Sequence, residues 1–260
     1  MRVTLGQYLP GDSFVHRTDP RVKLFLMGLG IGTAFRMDSP VELAIFSLVC
    51  ALLGLLSRVP FGRLLSGLRP FLWLFAFTAL LHVFMTPGDP IAWVPNATWE
   101  GLEGGIRVGL QLVFAIWLST LTTLTTSPLD MVWAMEWFLR PLKVFRVPVD
   151  EIALLIMLAI RFIPILFEET DRILKAQKAR GVDIESGWIL RKVRSLVPIL
   201  VPLLHGVFRR ADDLAVALTL RGYSPGIERS RMKEMKARTR DYLSLALVGG
   251  LFVLLLCLPG

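Results

Sequence analysis

GIRVGLQLVFAIWLSTLTTL, residues 105–124, decides the fold class. About 20 predominantly apolar residues make a helix long enough to cross a bilayer. The whole chain supports that reading, with 54% hydrophobic and only 19% charged residues in 260. Soluble domains carry roughly 25% charged and 45–50% apolar residues, so the surplus here needs lipid to cover it. A net charge of +8 suits either a nucleic-acid binder or a membrane protein with a basic inner face. Cys50 and Cys257 sit in apolar runs without a C-x-x-C or His neighbour, so they read as buried free thiols rather than a disulfide or a zinc site. Residues 1–23 are polar, with Pro10, Gly11 and Pro20, and hold no apolar run of the signal-peptide kind.

Outward from that stretch, four more spans are expected: Leu24–Phe35, Val41–Leu56, Phe71–Met85 and, at the far end, Tyr242–Leu258. The first is short and must borrow from its flanks. Lys and Arg set the orientation. Arg2, Arg17, Arg21 and Lys23 precede the first span, and Arg58, Arg63 and Arg69 fall in an expected loop at Ser57–Pro70. Thr86–Gly104 has no basic residue, only Asp89, Glu100 and Glu103. The positive-inside rule then puts the N-terminus and the 57–70 loop in the cytoplasm of a cell-membrane protein, and 86–104 outside. Trp93 and Trp99 in that outer loop read as interface anchors, and Asn96-Ala97-Thr98 as a chance sequon.

Two further apolar runs, Ile152–Phe167 and Leu196–Phe208, are interrupted by Arg161 and Pro164 and by Pro198 and Pro202. An Arg at a span's centre costs about 2.5–3.5 kcal/mol against roughly 0.3–0.6 gained per Leu, Ile or Phe, so energy alone does not exclude insertion. Topology argues against it. If both runs crossed, Arg172, Lys175, Lys178, Arg180, Arg191, Lys192 and Arg194 would all face outward. The expected architecture is therefore all-α and polytopic. Transmembrane helices fill 1–126, a cytoplasmic, membrane-proximal domain of long helices fills 127–240, and a last transmembrane helix fills 241–260.

Within the middle domain, Ser127 and Pro128 start a helix as N-cap and first position, and Pro141 ends or kinks it. Asp150 and Glu151 open a long helical pattern that runs to Arg180 and stops at Gly181; a second runs from Ile189 to Arg221 and stops at Gly222. The two patterns end alike. Asp171, Ala176 and Ala179-Arg180-Gly181 recur at the same spacing as Asp212, Ala217 and Leu220-Arg221-Gly222. Arg before Gly is an ordinary helix C-terminus when met once. Met twice on long membrane-proximal helices, it points to docking, since a guanidinium can hold a partner carboxylate through two hydrogen bonds.

At these residues the chain resembles the transmembrane T component of energy-coupling factor (ECF) transporters. Gly6-Gln7-Tyr8-Leu9-Pro10-Gly11-Asp12-Ser13 and His16-Arg17-Thr18-Asp19-Pro20-Arg21-Val22-Lys23 are similar to that family's opening motif. Arg161-Phe162-Ile163-Pro164 and both Arg-Gly ends are similar to it as well, so the resemblance spans essentially the whole chain. The opening motif resembles the shared, general-purpose scaffolds more than those dedicated to cobalt or nickel.

The resemblance implies a non-catalytic subunit that works with two cytoplasmic P-loop ATPases and a small hydrophobic membrane subunit that captures a vitamin or metal ion. It implies that Arg180 and Arg221 contact acidic residues in grooves of the ATPases, with Leu220 a mild departure from Ala179. Arg161 and Pro164 would support the long helices. The apolar positions Ile152, Leu155 and Ile156, with Leu196, Leu200 and Leu203, would meet the capturing subunit. ATP and magnesium would belong to the partners, and this chain would bind no cofactor or metal of its own. The residues agree independently, for the chain has no Gly-x-x-x-x-Gly-Lys-[Ser/Thr] and not one Gly-Lys dipeptide.

The alternative is a self-sufficient secondary transporter or channel, which predicts ion-relay residues inside the spans. His82 is the one obvious ionisable group deep in a span, and Glu42 sits near a span end. An intramembrane enzyme is weaker still, because His16, His82 and His205 fall in separate segments without H-E-x-x-H or a framed nucleophile. Arg229, Arg231, Lys233, Lys236, Arg238 and Arg240 directly precede a span, which anionic lipid explains better than nucleic acid.

Overall fold

A computed structural model describes residues 8–90, 97–181, 189–224 and 239–257, with the backbone alone at 189–195, 240, 256 and 257. The expected Gly6 and Gln7 of the opening motif, Trp93, Asn96 and the basic stretch 229–238 lie outside the described residues, as do the side chains of Arg191, Lys192, Arg194, Arg240 and Cys257.

Among the described residues the chain is helical, with an isolated bridge between Pro90 and Thr98 and no strand. In order the helices are α1 Phe14–Arg17, α2 Pro20–Arg36, α3 Pro40–Ser57, α4 Phe61–Leu68, α5 Leu72–Met85, α6 Trp99–Thr125, α7 Pro128–Leu139, α8 Val149–Ala179, α9 Ile189–Leu220, α10 Thr239–Ser244 and α11 Gly250–Cys257. Short 3₁₀ turns at Arg69–Phe71 and Arg140–Phe145 follow α4 and α7, and a π turn at Leu245–Gly249 joins α10 to α11.

Packing divides the described chain into two compact units, 8–135 with 239–257, and 136–224. The division falls inside α7. The first half of α7 buries Val132 and Ala134, whereas Met135, Trp137 and Phe138 after them are exposed.

In the first unit, Pro40–Ser57, the continuous stretch Phe61–Met85, and Trp99–Thr125 are each long and apolar enough to cross a membrane. At 17 residues α2 stands at the short end of the spanning range, and the apolar stretch at Asp241–Leu255 is shorter again. Both pack with the spans. Ala34 of α2, Phe46 and Cys50 of α3, Phe114 and Leu118 of α6, and Phe252 and Leu255 of α11 form one buried cluster. Phe46 lies at its centre, with ring centroids 5.1 Å from Phe114 and 5.3 Å from Phe252. The opposite face of α3 is bare, with Leu48 71% exposed. A bare aliphatic face on so apolar a helix is stable only against lipid. The α5–α6 pair packs through Gly101, where an added Cβ would strike the carbonyl oxygen of His82 and sit 2.9 Å from the Cα of Val83.

Two expected loops are shorter than anticipated. The 57–70 loop contains α4, because Phe61, Leu64, Leu65 and Leu68 recur at helical spacing and Leu64 is fully buried with Val59, Leu121 and Leu124. Arginine content alone had suggested a loop. The 86–104 loop ends at Thr98, whose hydroxyl accepts from the Gly101 amide at 3.1 Å and caps α6, so Trp99, Glu100 and Glu103 are helical.

The opening motif does more than set the entry to the first span. Asp19 caps α2 by accepting from Arg21 N at 2.9 Å, and its own amide donates to Asp241 Oδ1 at 2.8 Å in a buried contact. Lys23 Nζ donates to Thr125 O at 2.9 Å and Thr126 Oγ1 at 3.3 Å, also buried. Leu9 N donates to Leu124 O at 2.9 Å. One short stretch thus ties the end of α6 and the start of α10 together by hydrogen bonds from Lys23 and to Asp241, the condition under which burying their polar groups is tolerable.

Candidate functional site

The second unit is built on α8 and α9, which pack against each other. Glu169 and Arg210 join them by an ion pair at 2.7 Å, and Gln177 Nε2 donates to Pro198 O at 3.2 Å. Residue numbers rise on one helix as they fall on the other, so the pair is antiparallel. The Gln177 contact has a specific cause. Pro202 lacks the amide that would bond the carbonyl four residues back, which is that of Pro198. Gln177 supplies the missing donor, so Pro198-x-x-x-Pro202 creates an acceptor that the neighbouring helix uses.

Both helices close with the same hydrogen-bond register. At α8, Arg180 N donates to Ala176 O at 3.2 Å and Gly181 N to Lys178 O at 3.0 Å. At α9, Arg221 N donates to Ala217 O at 3.2 Å, Gly222 N to Thr219 O at 3.0 Å and Tyr223 N to Leu218 O at 3.0 Å. The last two bonds are the Schellman pair. Gly181 at φ 81° and Gly222 at φ 73° occupy the left-handed region that a Cβ disfavours, which is why each helix ends where glycine follows arginine.

Ala179, Arg180 and Gly181 are exposed, as are Leu220, Arg221 and Gly222, with Leu220 at 83%. Ala176 and Ala217 stand about one turn back on the arginine side and leave it low. Asp171 and Asp212 precede their arginines by about two and a half turns, which puts each on the opposite face. Both are exposed and make no ion pair among the described residues. The repeated device is therefore Ala, Arg and Gly, and the aspartates stand apart from it. Pro198 faces Gln177, near the Arg180 end. The 198–221 stretch of α9 is roughly 35 Å long at about 1.5 Å per residue, which sets the separation of the two arginine ends.

The family described as cobalt transport protein (CbiQ) matches residues 11–234. The energy-coupling factor transporter transmembrane protein EcfT of Streptococcus thermophilus is 40% identical over 257 residues, 98% of this chain and 97% of that protein. EcfT of Bacillus subtilis is 42% identical over 91% of each chain, and that of Clostridium kluyveri 44% identical over 93% of this chain and 91% of its own. The chain belongs to the transmembrane T components of ECF transporters.

In this T component the apolar positions singled out on the long helices are largely uncovered. Ile152 and Leu155 on α8 and Leu196 and Leu200 on α9 are exposed, while Ile156 and Leu203 are half-buried. Their spacings put each set on one helical face. Pro164 lies inside α8, half-buried. Arg161 is exposed and makes no ion pair among the described residues. The brace between the helices is Glu169–Arg210, which the sequence hides because charged residues 41 positions apart carry no local signal. Gln177 was findable in part, since the proline spacing marks a carbonyl in need of a donor. His82 Nδ1 bonds Thr78 O at 3.0 Å within its own helix, an ordinary satisfied histidine. Among the described residues no group of His, Cys, Asp and Glu could hold a metal ion.

Proposed function

We propose that this T component couples ATP hydrolysis by two cytoplasmic P-loop ATPase subunits to movement of a small substrate-binding membrane subunit, for uptake of vitamins or other micronutrients. The observation that carries it is the pair of exposed arginine ends, each followed by a left-handed glycine, on one antiparallel helix pair. Each end presents a guanidinium with an alanine one turn behind it, a shape suited to an acidic groove. Ends roughly 35 Å apart suit two separate subunits rather than one.

In this mechanism ATP binding closes the two ATPases, and their grooves carry Arg180 and Arg221 with them. Because α8 and α9 are braced by Glu169–Arg210 and Gln177–Pro198, relative motion of the ends rotates the pair. The uncovered faces at Ile152, Leu155 and Ile156 and at Leu196, Leu200 and Leu203 hold the capturing subunit and change its tilt. ATP and magnesium sit in the partners, and this chain is non-catalytic. The basic inner loops support a cytoplasmic N-terminus in the cell membrane.

The test is Arg180→Glu with Arg221→Glu, made singly and together in the assembled transporter. Each single change should weaken one ATPase contact, and the double change should abolish ATPase copurification and ATP-dependent uptake while the chain still reaches the membrane. Uptake unchanged in the double variant refutes the coupling role.

A further inference from the structure

Between α7 and α8 the chain turns through Arg140–Phe145, a 3₁₀ segment closed by Arg146 at φ 61°, whose amide donates to Lys143 O at 2.9 Å. A 3₁₀ turn is tighter than an α turn, with about three residues per turn. Val144 is 84% exposed and Phe145 80%, and Leu142, Phe138 and Trp137 beside them are also exposed. Trp137 and Phe138 meet edge to face with centroids 5.1 Å apart. Interleaved with these are Arg140, Lys143 and Arg146, and residues 140–146 contain no acidic side chain. Lys143 is partly neutralised by Asp150 at 2.6 Å, which leaves the two arginines to set the sign of the turn.

We infer that this elbow is a membrane-interface anchor that seats Val144 and Phe145 at the acyl boundary and Arg140 and Arg146 among anionic phospholipid headgroups. Water is a poor solvent for so bare an apolar tip, and a purely apolar protein groove would leave the arginines without counter-charges. Aromatic and aliphatic side chains with Lys and Arg at their flanks are the composition that rests at the headgroup level. The chain already lies in a bilayer through its spans, so a lipid surface is always available to it. Anchored there, it fixes the start of α8 at membrane level, independently of what the arginine ends bind.

The test uses the full chain with Cys257→Ser, buried Cys50 left in place, and a nitroxide on Val144→Cys. It is reconstituted in phosphatidylcholine vesicles with or without phosphatidylglycerol. Collisions with oxygen, which partitions into lipid, are compared with collisions with a water-soluble nickel chelate. With phosphatidylglycerol the ratio should favour oxygen several-fold. It should fall toward the aqueous value in phosphatidylcholine alone and in the Arg140→Gln, Arg146→Gln variant. A label open to the chelate in phosphatidylglycerol vesicles, and shielded only when the other transporter subunits are added, overturns the proposal in favour of a protein contact. Immersion that ignores both phosphatidylglycerol and the arginines overturns the headgroup assignment.

Discussion

Replacing Gly222 with Ala isolates what holds the Arg221 end in place. Gly222 sits at φ 73°, and a Cβ built there meets nothing within 4 Å, so the cost is in the backbone alone. A residue with a Cβ in the left-handed region loses roughly 1–2 kcal/mol. Alanine also restricts the frayed state, but at a positive φ that gain is smaller than the strain, so a net loss near 1 kcal/mol is expected. The bonds at risk are Gly222 N to Thr219 O and Tyr223 N to Leu218 O. Hydrogen exchange of these two amides reads the result directly, and a loss near 1 kcal/mol lowers their protection by about 5-fold. Global stability should not move, because an exposed helix end opens locally. Gly222→Asn should recover much of the protection, since asparagine enters the left-handed region more readily. Protection equal in all three proteins, or an alanine variant as protected as glycine, would refute the account of the cap.

Three further outcomes are expected. Gln177→Leu removes the donor to Pro198 O, and thermal unfolding should show about 1 kcal/mol lost, the low end for an orphaned acceptor because Pro198 is only half-buried. A double-mutant cycle of Glu169→Gln and Arg210→Gln should give a coupling of about 0.5–1 kcal/mol that shrinks with added salt, whereas additive singles would deny the brace. Burial lowers the pKa of His16, whose Nε2–H donates to Leu9 O at 3.0 Å while Nδ1 accepts from Ser13 Oγ at 2.6 Å. The unfolded state then binds the proton more readily than the folded one, so stability is present above the unfolded pKa of about 6.5 and is lost as pH falls through the lowered folded value. His16→Asn should flatten that acid limb of the unfolding profile.

What the residues disclosed follows from which interactions are local. Helix ends are local, so Ser127 with Pro128, Pro141, Gly181 and Gly222 each mark a boundary that the structure has at or beside that residue. Span positions are local too: Val41–Leu56 grew by one residue at each end to Pro40–Ser57, whereas Gly105–Leu124 began six residues earlier, at Trp99, where Thr98 caps the helix. α4 escaped notice because its eight residues mix Arg63 and two glycines into the apolar repeat, which dilutes the pattern that Leu64 nonetheless buries. The links from Asp19 to Asp241 and from Lys23 to Thr125 join residues 222 and 102 positions apart, and no spacing rule reaches that far.

The same distinction bears on how the arginine ends can act. Each cap is made by its own helix, so each end is formed whether or not the other is engaged. The braces are not evenly placed. Gln177 stands beside the Arg180 end, whereas among the described residues the outermost side-chain brace on α9 is Arg210, roughly 16 Å along the helix from Arg221 at about 1.5 Å per residue. Two ends alike in sequence and in cap geometry therefore differ in leverage. A load on Arg180 passes almost at once into the neighbouring helix through Gln177. A load on Arg221 bends its own arm before it reaches Glu169. On the coupling proposed above, two similar partners would engage the two like ends, and the uneven bracing would supply the asymmetry that turns the helix pair in one direction.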